Sequence, residues 1–402
     1  MTPSGWTTYS LRELLRPVQR LEPVVHSRHY NLLGVRWYAA GCHNHSAAKG
    51  SDLKTQTLSR VQAGDVTYNK MWTSKNAFAV VPDNLSGSYA TSEYPLFETA
   101  RPDLLDIQYL IQIFKRGQLA EDASNLRRGT TSRARLNPSD FLGLSLSVPP
   151  LLAQKKIAAI LGSVDEAIQA TQAVIDQTRK VKQGLLQHHI CRGKWDSQFG
   201  GCDHPPHPLR SLDEAATRGS GHTPNKKVPE YWNGGVKWVS LADSGALDRL
   251  YINSTSAEIS DLGIANSSAV KHPAGTVVLS RDAGVGKSAI TQSEMAVSQH
   301  FIAWQCGPEL DNHYLYYWLQ HMKSVFEHVA IGSTIKTIGL PFFKQLQIPL
   351  PPIDDQRRIA GVLRDLDLQI LNQGEYLRTL STIKQGLMAD LLTGRKRVEV
   401  SA

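Results

Sequence analysis

A short segment in the second half of the chain combines glycines with two cations. Residues 280–287 read Ser-Arg-Asp-Ala-Gly-Val-Gly-Lys. Such a segment can cradle phosphates, but the nucleotide-binding pattern needs glycine five positions before Gly286, where Arg281 stands. We therefore expect Ser280, Arg281 and Lys287 to contact DNA phosphates and base edges. An ordinary solvated turn would have a similar composition.

The corresponding segment of the first half, residues 66–75, interleaves cations, an amide and aromatic rings. This mixture suits contacts in a DNA groove. We predict DNA contacts there from Tyr68, Asn69, Lys70 and Lys75. The alternative is that the aromatic residues Tyr68 and Trp72 belong to the core.

Residues 127–135 carry four arginines, and the counterpart at residues 332–336 is rich in small and hydroxyl residues. Arginine clusters and hydroxyl side chains are typical of phosphate clamps. A merely solvated face is the alternative. The predicted DNA contacts are Arg127, Arg128, Arg133, Arg135, Ser333, Thr334 and Lys336.

The sequence contains no pattern that organises bond-making chemistry. We find no Asn/Asp-Pro-Pro-Tyr tetrapeptide of an amino-methyltransferase, no glycine-rich dinucleotide fingerprint, no nucleophile elbow and no zinc-protease helix. The spacing of Cys191, Cys202, His204 and His207 does not match the short pairs of structural zinc sites. We therefore expect no catalytic residues, no metal and no cofactor.

The composition favours a polyanionic partner, because 44 basic residues outnumber 36 acidic ones. No stretch approaches the run of roughly 18 apolar residues that a membrane span needs. The first residues do not resemble a signal peptide, and the four cysteines lie far apart. We expect a cytoplasmic protein with reduced thiols and no membrane partner.

The chain contains an internal repeat. Residues 148–161 return as residues 350–363, displaced by 202 positions (351 minus 149), and the offset holds through 182–186 and 384–388. A repeat of half the chain length predicts two similar units.

Each copy of the repeat predicts a long amphipathic helix. Apolar residues recur every three or four positions after a Pro-Pro pair, which favours a helix start. A helix of about 38 residues is on the order of 55 to 60 Å long. Because such a rod with one apolar seam needs a partner, we predict that the two helices pair as an intramolecular coiled coil. The alternative is that each helix packs on its own globular domain.

The remaining segments predict mixed α/β domains, since short apolar runs typical of strands alternate with amphipathic helical segments. The fold class is thus α/β, of mixed α+β type, with two globular domains each followed by a long helix. The predicted boundaries are 1–147 for the first domain, 148–193 for its helix, 194–208 for a linker, 209–348 for the second domain and 349–395 for its helix.

These features resemble the specificity (S) subunits of type I restriction-modification systems. The resemblance covers nearly the whole chain. It is carried by the twin Pro-Pro-x-x-x-Gln-x-x-Ile-x-x-x-Leu-x-x-x-Asp segments that begin at Pro149 and Pro351, by residues 221–224 and 236–240, and by residues 332–334.

The resemblance implies a DNA-binding subunit without catalysis of its own. Each globular unit would be a target recognition domain that reads one part of a split site in double-stranded DNA. The conserved spacer helices would set the distance between the domains and dock methyltransferase (M) subunits, two of them, while restriction (R) subunits join the complex. The expected docking residues are Gln154, Ile157, Leu161, Gln356, Ile359 and Leu363.

Two other functions compete with this interpretation. A self-contained DNA methyltransferase or nuclease would need the catalytic motifs that we do not find. A helical scaffold without DNA readout would leave the basic charge and the loop arginines unexplained.

Overall fold

The computed structural model describes residues 3–129, 134–192, 195–199 and 207–399. The chain forms two compact units, one made of Met1–Thr171 with Tyr376–Ala402 and the other of Gln172–Glu375. Each unit contains one predicted globular domain and a segment of each long helix. The units are thus larger than the predicted domains, whose boundaries stay a prediction.

The first unit is built on three sheets, with strand orders β1-β11, β2-β10-β7-β8 and β3-β6-β9-β4-β5. Its elements are β1 (Thr7–Ser10), α1 (Leu11–Leu14), β2 (Leu15–Val18), β3 (Leu21–Pro23), β4 (His29–Val35), β5 (Cys42–Lys49), β6 (Thr57–Arg60), β7 (Val66–Tyr68), β8 (Phe78–Val80), β9 (Tyr89–Ala90), β10 (Leu96–Thr99), α2 (Ile107–Arg116), α3 (Gln118–Ser124), α4 (Pro138–Leu142) and β11 (Ser145–Val148).

The second unit is also built on three sheets, with strand orders β12-β22, β13-β21-β18-β19-β15 and β16-β14-β20-β17. Its elements are β12 (Leu209–Ser211), α7 (Leu212–Ala215), β13 (Ala216–Ser220), β14 (Trp232–Val239), β15 (Tyr251–Ile252), β16 (Ala257–Ile259), α8 (Asp261–Ala265), β17 (Lys271–His272), β18 (Val277–Ser280), β19 (Ser288–Thr291), β20 (Met295–Val297), β21 (Phe301–Cys306), α9 (Asn312–His321), α10 (Lys323–Val329), α11 (Leu340–Lys344) and β22 (Gln347–Pro349).

The two long helices confirm the prediction made from the repeat. Helix α5 spans Leu151–His189 and helix α12 spans Ile353–Leu391, each of 39 residues, and the short helix α6 (Asp196–Phe199) follows the first of them. Both begin directly after a Pro-Pro pair, because proline suits the first turn of a helix but cannot continue one. The mixed α/β fold class is confirmed as well.

Within each unit, segments of the two long helices lie together in antiparallel directions. In the first unit, Asp165 of α5 pairs with Lys384 of α12, and the backbone carbonyl of Glu399 accepts a 2.5 Å hydrogen bond from Lys156. In the second unit, Lys182 of α5 lies 2.5 Å from Asp367 of α12. Coiled-coil pairing along the whole length of both helices stays a prediction.

A turn of the same kind precedes strand β7 in the first unit and strand β18 in the second. Gly64 and Gly275 have φ angles of +83° and +87°, a left-handed conformation that side chains with a Cβ rarely adopt. Each glycine N–H donates to a carbonyl at or just after the end of the neighbouring strand, Gly64 to Val81 O (2.9 Å) and Gly275 to Thr291 O (2.8 Å). The glycines therefore start equivalent hairpins in the two units.

Among the described residues, no helix is long and apolar enough to cross a membrane.

Candidate nucleic-acid interface

Three segments of the first unit meet around the turn that follows β7. Lys70 N donates to Glu93 O (3.1 Å), and Lys70 O accepts from Leu136 N (3.0 Å). The guanidinium of Arg127 donates to Met71 O (2.9 Å) and to Ala134 O (2.7 Å). The structure therefore brings residues 69–76, residue 93, residues 127–129 and residues 134–136 together, and we call this set the first loop cluster.

Asn69 shapes the turn instead of facing outward. Its Oδ1 accepts hydrogen bonds from the backbone N–H groups of Met71 (3.0 Å) and Trp72 (3.3 Å), while Nδ2 donates to the Tyr94 hydroxyl (3.1 Å). Side-chain bonds of this kind fix a turn locally. Asn69 and Arg127 thus position the segment on which they lie, whereas Lys75 is exposed.

Tyr68 is a core residue, which corrects its prediction as a DNA contact. It is fully buried, its hydroxyl donates to Leu136 O (3.2 Å), and its ring packs on Phe97 and Phe141. Burial, and secondly the charge of Asp140, raises the pKa of Tyr68 well above its ordinary value. The Tyr68 ring therefore packs in the core, directly before the turn.

The predicted arginine clamp is partly engaged in ion pairs. Arg128 is exposed and lies 3.1 Å from Asp140, and half-buried Arg135 lies 3.1 Å from Glu93. The backbones of Arg128 and Arg135 exchange hydrogen bonds of 2.9 and 3.0 Å, so these two residues lie side by side. Arg133 lies outside the described residues.

The predicted glycine-rich segment of the second unit is a tight turn between β18 and β19. Ser280 N donates to Lys287 O (2.8 Å) and Gly286 N to Ser280 O (3.0 Å). Ser280 is fully buried and its hydroxyl donates to Asp282 O (2.6 Å), so its prediction as a DNA contact is corrected as well. The ammonium of Lys287 lies 3.2 Å from Ser244 O while the side chain stays partly exposed.

Arg281 lies beside two polar residues that sequence reasoning missed. Asp282 is buried, with 9% of its surface exposed. Its Oδ2 lies 2.7 Å from His300 Nδ1. Its Oδ1 lies 3.8 Å from Arg281 Nε, and neither of these two atoms has a hydrogen-bond partner among the described residues. These two buried atoms therefore face each other as an ion pair without a hydrogen bond. His300 reaches this position only through the tertiary fold, so no local sequence pattern predicts it.

A narrow loop, residues 331–337, closes this second site. Ile331 and Thr337 exchange backbone hydrogen bonds of 3.0 and 2.9 Å, and Ile338 N donates to Arg281 O (3.0 Å). The predicted contacts on the loop are exposed, namely Ser333, Thr334 and Lys336. We call residues 280–287, residue 300 and residues 331–338 the second loop cluster.

The six predicted docking residues lie inside their units. Gln154 is fully buried, accepts from Asp106 N (2.9 Å) and donates to Leu104 O (2.7 Å) and Pro149 O (2.9 Å). Gln356 makes the equivalent bonds in the second unit. It accepts from the N–H of residue 311 (2.9 Å) and donates to the carbonyls of residues 309 (2.9 Å) and 351 (2.8 Å).

The apolar members of that set belong to the cores. Ile157 and Leu161 lie in the core of the first unit, Leu363 lies in that of the second, and Ile359 packs on it. In this structure all six residues attach a helix to its own domain.

Further along the helices, an ion pair links α5 to α12 in each unit. Asp165 is contacted by Lys115, at 2.6 Å, and by Lys384. Burial alone would raise the pKa of Asp165, but the two lysines hold it below its usual range. In the second unit, Asp367 pairs with Lys182 and accepts from the Tyr317 hydroxyl (2.9 Å).

Within the described part of the chain, no group of histidine, cysteine and acidic residues has the arrangement of a metal site. Cys202 and His204 lie outside that part. Cys42 and Cys306 are free thiols.

Comparison with known proteins points to one family. Residues 209–376 match the family described as type I restriction modification DNA specificity domain. The chain is 26% identical over 196 residues to the type I restriction enzyme MjaIX specificity subunit of Methanocaldococcus jannaschii, covering 47% of this chain and 45% of that protein. It is 22% identical over 299 residues to the putative MjaX specificity subunit of the same organism, covering 72% and 68%.

Solved structures show the same fold. The S subunit of the type I restriction-modification system from M. genitalium aligns over 100% of both chains with a TM-score of 0.60 and 14% identity. A chain from a study of complex assembly and conformational transition of a type I system aligns over 98% of both chains, with a TM-score of 0.55 and 18% identity. By sequence and by fold, the chain is thus similar to the specificity subunits of type I restriction-modification systems.

Proposed function

We propose that this chain reads a bipartite site in double-stranded DNA, each loop cluster contacting one half. The observation that carries the proposal is the duplication of the cluster. In both units a turn with a cation is joined by a backbone hydrogen bond to a second segment, at Lys70 with Leu136 and at Arg281 with Ile338. A protein with two such clusters can address two half-sites.

The chemistry of the clusters suits recognition without catalysis. Cations and hydroxyls hold phosphates, while amide, carboxylate and imidazole groups hydrogen-bond to base edges. Asp282 and His300 next to Arg281 offer both donors and acceptors. The members of this family are specificity subunits, so methylation and cleavage belong to partner subunits.

The long helices serve as the spacer between the two domains in this proposal. Their docking surface for methyltransferase subunits is formed by exposed apolar residues, because the predicted docking residues are buried. Leu368 and Leu371 of α12 are 49% and 53% exposed, and a spacing of three places them on one helix face. Two methyltransferase subunits and the restriction subunits would then complete the assembly in the cytoplasm.

The test is to purify the chain with its candidate methyltransferase subunit and to map the methylated adenines in DNA treated with the complex. A split, asymmetric methylated motif is expected. A complex that methylates a continuous motif, or none, would refute the bipartite reading. If the chain alone bound S-adenosylmethionine, the self-contained methyltransferase would be favoured instead.

A further inference from the structure

Three aromatic rings of the first unit are exposed side by side. Trp37, Tyr38 and Trp72 are 44%, 69% and 38% exposed. The ring centroid of Trp37 lies 6.5 Å from that of Tyr38 and 5.2 Å from that of Trp72. Large aromatic side chains usually bury most of their surface, so a contiguous exposed group indicates a binding surface.

The backbone holds these rings in a conformation that a plain surface turn does not need. Tyr38 and Ala39, in the turn between β4 and β5, have φ angles of 58° and 51°. Their N–H groups donate to Lys75 O (2.8 Å) and Asn76 O (2.7 Å), which ties the turn to the first loop cluster. Left-handed backbone at residues other than glycine is found preferentially at functional sites.

The surroundings of the rings are cationic. Arg36 and Lys75 are exposed, and neither makes an ion pair with any other described residue. Residues 36–45 and 69–76 contain no aspartate or glutamate. Burial, then the charges of Arg36 and His45, lowers the pKa of His43, which is consistent with an excess of positive charge here.

We propose that Trp37, Tyr38 and Trp72, with Arg36 and Lys75, form the surface by which the first unit grips duplex DNA. This inference rests on the proposed function and names the residues that carry it out in one half. The cations contact phosphates, and the rings contact sugars and base steps from the groove.

Continuity with the first loop cluster favours DNA over a protein partner at this surface. Trp72 lies two residues after Lys70, in the turn that Asn69 fixes through the Trp72 N–H. The rings and the predicted reading loop are thus parts of one rigid arrangement. A protein partner would need acidic groups to match Arg36 and Lys75, whereas DNA supplies phosphates to any such surface.

The test measures the affinity of the methyltransferase complex for a duplex that carries its mapped site, at several salt concentrations. The aromatic variants are Trp37→Ala, Tyr38→Asn and Trp72→Ala. Asparagine is chosen because it tolerates the left-handed backbone. The matched control is Tyr376→Asn, since Tyr376 is an exposed tyrosine (52%) of α12 outside this surface.

We expect each aromatic variant to weaken binding roughly 5- to 100-fold at a fixed salt concentration, with an unchanged salt dependence. Arg36→Ala and Lys75→Ala should instead reduce the slope of log K against log salt by about 1 each. The control should bind like the wild type. Thermal unfolding checks that every variant is folded.

Two results would overturn the inference. If folded aromatic variants bind and methylate like the wild type while the split motif persists, the surface does not contact DNA and the proposed function stands. If the aromatic variants lose the methyltransferase subunit but not DNA, the surface docks a protein. A wild-type complex without a split motif would refute the proposed function itself, which the mapping detects before any variant is made.

Discussion

Lys70 and Arg281 occupy the same structural position in their two units. Each follows the first strand of a hairpin. Its backbone N–H donates a hydrogen bond across the cluster, and its carbonyl accepts one. The donor bonds run from Lys70 to Glu93 O (3.1 Å) and from Arg281 to His300 O (2.9 Å). The acceptor bonds come from Leu136 and Ile338, both at 3.0 Å.

This equivalence arises although the side chains differ. A flexible ammonium and a planar guanidinium recognise different groups, because only the guanidinium offers a rigid fork of donors. The partners differ too, since Glu93 in one unit corresponds to His300 in the other. Equivalent backbones with different side chains are what two domains need in order to read unlike half-sites.

The buried glutamines should be required for stability. Gln154→Ala or Gln356→Ala leaves one backbone N–H and two carbonyls without partners, so we expect each to lower the free energy of unfolding by about 2–4 kcal/mol. Urea denaturation followed by circular dichroism measures this change. Gln177→Ala, an exposed glutamine of α5, should change it by less than about 0.5 kcal/mol. Equal effects of buried and exposed variants would contradict the assignment.

Asp165 should make stability depend on pH on the acid side. Its pKa in the folded protein lies below the ordinary value of 3.8 because Lys115 and Lys384 contact it. The carboxylate therefore stabilises the fold above pH 3.8, and this contribution is lost as the pH falls through the lowered pKa.

Asp165→Asn should destabilise the protein at neutral pH by about 1–3 kcal/mol and flatten the acid limb of the stability curve. Urea denaturation between acid and neutral pH measures both effects. Asp83→Asn removes an exposed carboxylate of the same unit and serves as the control. An acid limb in Asp165→Asn as steep as that of the wild type would show that this ion pair does not govern it.

The sequence predicted the long helices well, while most of the DNA-contact residues stay a prediction. Heptad spacing and Pro-Pro pairs are local signals, and both helices begin where these signals place them. The paired loops at Lys70 and Arg281 were also found from the sequence. Tyr68 and Ser280 were misjudged because polar or aromatic groups next to a reading loop can equally point inward, which only packing decides.

The glutamines show the same limit. Their repetition is visible in the sequence, but their partners lie 45 to 48 residues away at Asp106 and Asp311. His300 likewise reaches Asp282 from 18 residues away. Such contacts have no local pattern, so the sequence could indicate that these glutamines matter without showing how.

The exposed leucines of α12 should be required for assembly. We expect Leu371→Glu, alone or with Leu368→Glu, to abolish co-purification of the methyltransferase subunit while the chain stays folded, because a charge would be buried in the interface. Affinity purification followed by quantification of the bound subunit measures the loss. Gln369→Glu adds the same charge at an exposed neighbouring position and should retain the partner. Retention of the partner by the leucine variants would place docking elsewhere.

The most direct test of two-domain reading compares methylated-adenine maps of the wild-type complex with those of Lys70→Ala and Arg281→Ala, using Arg12→Ala as an exposed cation control. We predict that Lys70→Ala relaxes the sequence of one half of the motif only, that Arg281→Ala relaxes only the other half, and that the control leaves both unchanged. If both substitutions relaxed the same half, or if neither altered the motif, the assignment of one half-site to each unit would be contradicted.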